Sequence, residues 1–375
     1  MAVRAVSTAR RLTVRTGPRT ALVLGAGGVL GAAWMTGALP AVQERLSCAV
    51  GDVDIMLGTS AGSVLTAALR CGVSIEEMIA YQRGEPVGGA LEGVGDVAGP
   101  PWPRPPRLRF GSPRLMASAL MAPHRVHPSV GASAWLPVGR ENHHGLREMV
   151  HLLHARATAG HHAIAVAMHP AAPSGAPLAA TDPAVPAVAA QRAEPAGPAA
   201  PCGAPHWIDR GQTWIVAVDY ESGARVVFGR DGSPRARLAD AVVASCSVPG
   251  WYEPFHIGGR RYVDGGVRSA TSLGLLAKAG VDEVCVLAPM ASVVADRPRE
   301  PHKRLERRVR ALLTYALLRD VRALREAGAK VTVLTPGPED LAVIGVNLMD
   351  PRRRTAVLET SLRTSPRALA ATLAA

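Results

Sequence analysis

Apolar residues in this chain gather into short unbroken runs rather than strict alternation. Ala21-Leu22-Val23-Leu24, Val53-Asp54-Ile55-Met56-Leu57, Trp214-Ile215-Val216-Ala217-Val218 and Lys330-Val331-Thr332-Val333-Leu334 have the length and β-branched content of strands buried on both faces, as in a parallel sheet. The first two lead through glycines into helix-like segments, the second of them Ser63–Leu69. Strands alternating with helices predict an α/β core. Arg225-Val226-Val227-Phe228 follows a hairpin turn at Tyr220-Glu221-Ser222-Gly223, and residues 351–364 read as a closing helix. Over residues 303–327, Leu305, Val309, Leu312 and Ala316 form one helical stripe with arginines opposite and Gly328 as the C-cap, the amphipathic pattern of a helix packed on a core.

The middle of the chain breaks this rhythm. Residues 84–205 fill with Pro, Gly, Ala and Arg, and 163–205 have almost no charge and little periodicity. That composition predicts a mobile loop or disordered insertion. A functional alternative is a lid or lipid-contact region over a site, built from the helix-like pieces Arg114–Met121 and Leu146–Ala155, which equally suit core packing.

Chemistry enters at the glycines. Gly58-Thr59-Ser60-Ala61-Gly62 lies between a predicted strand and a predicted helix. Glycines on either side let the chain reverse sharply, and a strained backbone at Ser60 lifts its hydroxyl clear, as in a nucleophile elbow. Upstream, the loop Gly25-Ala26-Gly27-Gly28-Val29-Leu30-Gly31 points successive N–H groups into one concavity at a helix N-terminus, where anions bind. It lacks the dinucleotide spacing, since Leu30 stands where the last glycine of G-x-G-x-x-G belongs, and no P-loop Gly-Lys-Ser/Thr follows. An oxyanion hole suits it better. Far downstream, Tyr262-Val263-Asp264-Gly265-Gly266 sets a carboxylate at a strand end in a tight turn. The rival carboxylate, Asp219, precedes the hairpin turn and reads as structural.

At this point the chain resembles the patatin-like phospholipases, serine acylhydrolases with a Ser–Asp dyad. The family pattern of Gly-rich loop, G-x-S-x-G and D-G-G/A turn occurs here in order, over roughly residues 20–83 and 213–290. The resemblance implies Ser60 as nucleophile, Asp264 as general base, and the N–H groups around Gly27 and Gly28 as oxyanion hole. Gly25, Gly31, Gly58, Gly62, Gly265 and Gly266 support these motifs. It also implies a three-layer α/β sandwich with a central, mostly parallel sheet and the Ala/Pro-rich segment inserted in the middle. Two positions depart from the pattern: Ala26 stands where glycine is usual, and Leu30 where a basic residue is usual, so a lipid-phosphate contact from that position is absent.

A dyad needs its carboxylate to take the serine proton directly, which partial burial favours by raising its pKa toward neutrality. The α/β-hydrolase alternative requires a histidine after the acid. Only His302 follows Asp264, in a charged loop that looks solvated, so Ser60-Asp264-His302 is the second reading. A third is a catalytically silent lipid-binding protein on the same scaffold. The motifs that must meet span residues 25–266, so one domain is expected over 20–375, with 84–205 as variable insertion or lid and 291–375 as a C-terminal helical part with one strand.

The remaining features add less. His143, His144, His151, His154, His161 and His162 have no Asp, Glu or Cys to complete a recognisable ligand set, so no metal is expected, and the dyad requires no cofactor. Five widely spaced cysteines without C-x-x-C suit a reduced, intracellular protein, with Cys246 and Cys285 as buried thiols. No run spans a bilayer and the start lacks a signal core. A cytoplasmic location is expected, with peripheral membrane contact. The net charge is +12, and residues 1–19 form a basic arm carrying Arg4, Arg10, Arg11, Arg15 and Arg19. Such an arm suits anionic lipid headgroups. Specific nucleic-acid binding is not expected, because three Phe and five Tyr make no stacking platform. A lipid ester is the expected partner; the sequence leaves the oligomeric state open.

Overall fold

The computed structural model describes residues 17–168 and 207–374, apart from Ser47, Asp209, Ala295 and Arg297. Most of the basic arm, and of the segment at 163–205, lies outside the described residues. The first half contains β1 (Thr20–Leu24), α1 (Gly28–Arg45), β2 (Ile55–Thr59), α2 (Ala61–Arg70), α3 (Ile75–Arg83), β3 (Arg107–Phe110), α4 (Pro113–Met121), α5 (Pro128–Ser133), β4 (Pro137–Val138) and α6 (His144–Met168). The second half contains β5 (Gln212–Asp219), β6 (Arg225–Phe228), α7 (Leu238–Cys246), β7 (Phe255–Ile257), β8 (Arg260–Asp264), β9 (Glu283–Leu287), α8 (Pro301–Glu326), β10 (Lys330–Leu334), α9 (Pro338–Ile344) and α10 (Arg354–Ala374).

The main sheet runs β10-β9-β1-β2-β5-β8-β7, with β6 forming a hairpin on β5. Strands β10, β9, β1, β2 and β5 are parallel, and β8 and β7 close the far side antiparallel. The two-residue pleat sorts the apolar runs onto two faces. Leu22, Leu24, Met56, Ile215 and Leu287 pack under α1, α2, α6, α7 and α10. Ala21, Val23, Leu57, Val216 and Val286 pack against Leu273, Leu276 and the α8 side chains Leu317, Val321 and Leu324. The result is the expected three-layer α/β arrangement.

Two expectations need correction. The α8 stripe was expected to pack inward, yet Leu305 is 63% and Leu312 72% exposed, and Val309 is exposed as well. The buried face instead holds Arg310, Thr314, Leu317, Val321 and Leu324. Arg310 is tolerated inside because its guanidinium donates to the carbonyls of Pro289 (2.6 Å) and Ala291 (3.1 Å) and pairs with Glu306 (2.8 Å), which satisfies the buried charge. The helix ends as expected near Gly328, whose φ of +94° follows Ala327, with Ala329 N–H on Leu324 O at 3.0 Å.

Nor is the described part of 84–205 a single loop. α6 buries Leu146, Met149, Val150 and Leu153 in the main core, the spacing of one helical face. α4, α5 and their neighbours bury Leu115, Val126 and Val130 against Val218, Tyr220 and Val263 of the sheet's antiparallel side. The second helix-like piece is therefore core. Asp219 is structural as read: its Oδ1 accepts the N–H groups of Glu221 (2.9 Å) and Ser222 (3.0 Å) in the hairpin turn, and it pairs with Arg260 at 2.8 Å.

Candidate active site

Ser60 ends β2 and caps α2 with φ 53° and ψ −124°, a conformation costly for a residue with a side chain. Long-range contacts hold it there. Its N–H donates to Ser245 Oγ (2.9 Å), whose hydroxyl donates to Val216 O on β5 (2.6 Å), while Ser63 Oγ donates to the Ser60 carbonyl (2.6 Å). The flanking glycines are required by space. A Cβ on Gly58 would lie 2.6 Å from Ser63 Cα, and one on Gly62 would collide with the Leu24 carbonyl. The strained turn and its steric demands are those expected of an elbow.

Asp264, at the end of β8, is brought to this turn because β8 pairs with β5, two strands from β1. Its N–H donates to Ser247 O (2.9 Å), its Oδ1 accepts Gly266 N–H (2.6 Å), and the neighbouring Ser60 side chain favours its ionised form. The carboxylate is 4% and Ser60 6% exposed. Burial outweighs the opposing effects of Ser60 and the Gly266 N–H and raises the Asp264 pKa to about 6. Such a group is ionised at neutral pH and still basic enough to accept a proton. Gly265 is confined like Gly62, since a Cβ there would strike the Val216 carbonyl.

The glycine loop approaches from β1. Gly25 N–H donates to Leu287 O (2.9 Å), Ala26 N–H to Ala270 O (2.7 Å) and Leu30 N–H to Leu348 O (3.0 Å). Among the described residues the N–H groups of Gly27 and Gly28 have no protein acceptor, as oxyanion donors require. Gly28 has φ +60°, and a Cβ on it would come within 2.8 Å of Met349 Sδ; one on Gly27 would lie 2.7 Å from Pro289 Cγ. Gly31 also packs against Pro289, at 3.2 Å for a built Cβ, and donates to Gly27 O (2.8 Å). It supports the loop without presenting a donor. Leu30 is fully buried.

These groups meet in one cavity of about 470 Å³, lined by Gly27, Gly28, Ser60 and Asp264 at one end and by apolar side chains from α2, α3 and α6, such as Leu65, Met78 and Met149. Sequence reasoning missed several of its parts. Ser245, Pro289 and Met349 stand far from the motifs, and only the unusual serine at the end of the apolar helix α7 offered a signal. His143, grouped with the other histidines, lines the cavity. Its ring stacks on Tyr252 with centroids 3.7 Å apart, its Nε2 contacts Cys246 O (3.0 Å), and burial lowers its pKa to about 4. It forms a neutral wall. His302 is in the exposed first turn of α8 and does not line the cavity. Cys48, Cys71, Cys246 and Cys285 are free thiols, and Cys202 lies outside the described residues.

A strained serine, a buried carboxylate lining the same cavity, and N–H donors with no protein acceptor among the described residues are the parts an acyl-transfer site would use. The chain resembles the patatin-like phospholipases, whose family model matches residues 211–277; Asp264 lies inside that match and Ser60 outside it. Among solved structures the chain is similar to VipD from Legionella pneumophila, at 13% identity and a TM-score of 0.40, over 95% of this chain and 67% of that one. It is also similar to the type III effector protein ExoU, at 14% identity and a TM-score of 0.36, over 95% of this chain and 53% of the other, so it spans about half of the ExoU chain. No curated protein matches. The family match supports a lipid hydrolase of the patatin kind.

Proposed function

We propose that the protein is a serine acylhydrolase that cleaves a carboxylic ester of a lipid, of the phospholipase A, lysophospholipase or lipase type. The observation that carries this reading is the strained Ser60 and the buried Asp264 lining one apolar cavity together with Gly27 and Gly28. Ser60 Oγ attacks the ester carbonyl carbon while Asp264 takes its proton. The tetrahedral oxyanion accepts the N–H groups of Gly27 and Gly28. Collapse expels the alcohol, which leaves with the proton from Asp264, and acylates Ser60. Water, deprotonated by Asp264, then releases the fatty acid and restores the serine. The acyl chain occupies the apolar part of the cavity between α2, α3 and α6, a space within the usual range for ligand sites. Residues 20–375 act as one catalytic unit in this reading.

A fluorophosphonate probe tests it. Wild-type protein should be labelled and should hydrolyse p-nitrophenyl acyl esters, and Ser60→Ala, folded by circular dichroism, should do neither. A wild type that is folded and inert to the probe would establish a silent lipid-binding scaffold instead.

A further inference from the structure

Between Asp96 and Glu141 the chain contains no acidic residue but six arginines, at 104, 107, 109, 114, 125 and 140. The same stretch exposes Trp102, Leu108, Phe110, Leu120, Met121 and Trp135, with Met121 at 87% and Leu120 at 69%. Phe110 and Trp135 meet edge to face at 6.1 Å. Arg104 pairs with Glu141 and Arg107 with Glu253. Among the described residues the other four arginines have no acidic partner. So many exposed aliphatic and aromatic side chains within one stretch of chain, with no acidic residue among them, mark an interaction surface.

This stretch is tied by hydrogen bonds to residues that line the cavity. Pro101 O accepts Asn347 Nδ2 (2.9 Å), and the Glu141 and Trp251 backbones are bonded at 3.2 Å next to Tyr252; Asn347, Trp251 and Tyr252 all line the cavity. On the other side Ser129 Oγ donates to Val267 O (2.5 Å) and Tyr220 hydroxyl to Ser133 O (2.7 Å). Val267 follows Asp264 closely and also lines the cavity.

We infer that residues 102–136 dock the protein on the surface of an anionic phospholipid bilayer, with Leu108, Leu120 and Met121 entering the acyl boundary, Trp102 and Trp135 at headgroup level, and Arg109, Arg114 and Arg125 on lipid phosphates. The charge of the stretch is of one sign and complements such a surface. Its aromatic and aliphatic side chains match the interface and the layer beneath it. The biological purpose of this surface rests on the lipid-hydrolase reading; its binding test does not.

The test is co-sedimentation of the full chain, in a Ser60→Ala background so that lipid is not consumed, with phosphatidylcholine vesicles with and without phosphatidylglycerol. Binding should require the anionic lipid and weaken with salt. Leu108→Glu combined with Met121→Glu should reduce partitioning about tenfold or more. Arg109→Gln and Arg114→Gln should each reduce it roughly fivefold. Leu312→Glu on the exposed face of α8 should leave it unchanged. In the Ser60 protein, the surface variants should retain wild-type turnover of a soluble p-nitrophenyl ester and lose turnover of vesicle lipid. Equal binding to neutral vesicles, undiminished binding of the Leu108/Met121 variant, dependence on Leu312 or on the arm residues Arg4, Arg10, Arg11 and Arg15 alone, or dissociation of a homo-oligomer by the surface variants would each overturn the inference. Absent soluble-ester turnover with intact vesicle binding would instead remove the hydrolase reading and leave the docking surface standing.

Discussion

Replacing Asp264 with asparagine should make the folded protein more stable at neutral pH while removing its activity. The carboxylate is buried beside Ser60 and Gly266, and burial raises its pKa from the ordinary 3.8 to about 6. A shift of about two units corresponds to about 3 kcal/mol. The folded state holds this proton more tightly than the unfolded chain. Stability therefore falls as pH rises from about 4 to about 6, and the full cost of the buried charge persists above that. Asparagine carries no charge and keeps the shape, its oxygen accepting Gly266 N–H as the carboxylate does. The difference in unfolding free energy between variant and wild type should thus be about 3 kcal/mol more favourable to asparagine at pH 7 than at pH 4.

Urea unfolding followed by circular dichroism at several pH values measures this, and comparison across pH cancels any fixed difference in the amide's own bonding. The expected change exceeds the 10–15% uncertainty of extrapolation for a domain of ordinary stability, roughly 5–15 kcal/mol. A stability difference that stays flat from pH 4 to pH 7 would refute the reasoning, because it would mean that Asp264 titrates alike in folded and unfolded chains.

The same group predicts that kcat/KM for a soluble ester rises between pH 5 and pH 7 with an apparent pKa of about 6, checked by the wild-type pH–rate profile, where a flat course through that range would refute it. Gly28→Ala should lower kcat by about 10²–10³ with little change in KM, since the added Cβ meets Met349 and Leu348 and displaces the donor; steady-state kinetics distinguishes this from a substrate contact, which would raise KM alone. Ser245→Ala leaves the Ser60 N–H without its acceptor and should cost about 1–3 kcal/mol in urea unfolding, together with turnover as the elbow relaxes. His302→Ala should match wild-type turnover in the same ester assay, and a loss there would restore the histidine triad.

What the sequence disclosed and what it concealed follow one physical distinction. The elbow at Ser60 was legible because its demands are local: a sharp reversal between a buried strand and a helix leaves no room for Cβ atoms at 58 and 62. The parallel strands were legible because both faces are covered, which forces unbroken apolar runs. On α8 the pattern identified a real apolar stripe but not which side of the helix the sheet would cover. Leu317, Val321 and Leu324 form a competing stripe, and Arg310 conceals it in sequence while being satisfied by the carbonyls of Pro289 and Ala291. In the middle of the chain the helical spacing of Leu146, Met149, Val150 and Leu153 was legible, but the local pattern did not say that this face would pack into the main core. Of the supports of the site that come from elsewhere in the chain, Ser245 under the elbow left only the mark of a serine in an apolar helix, and Pro289 and Met349 against the glycine loop left none, because nothing nearby requires them.

The two departures from the family's glycine loop are resolved by such distant fits. Leu30 has no room for a solvated role, for it is fully buried and its N–H is bonded to Leu348 O. Ala26 is accommodated across the site by Gly266: a Cβ at 266 would come within 3.0 Å of the Ala26 methyl and 3.0 Å of Asp264 Oδ1. With alanine at 26, glycine at 266 keeps both the approach of the two loops and the 2.6 Å hydrogen bond from Gly266 N–H to the carboxylate. That bond lowers the Asp264 pKa against the larger effect of burial. The spacing of two loops that are 240 residues apart in sequence thus reaches the acidity of the proposed base, and a change at either position should be read first through Asp264.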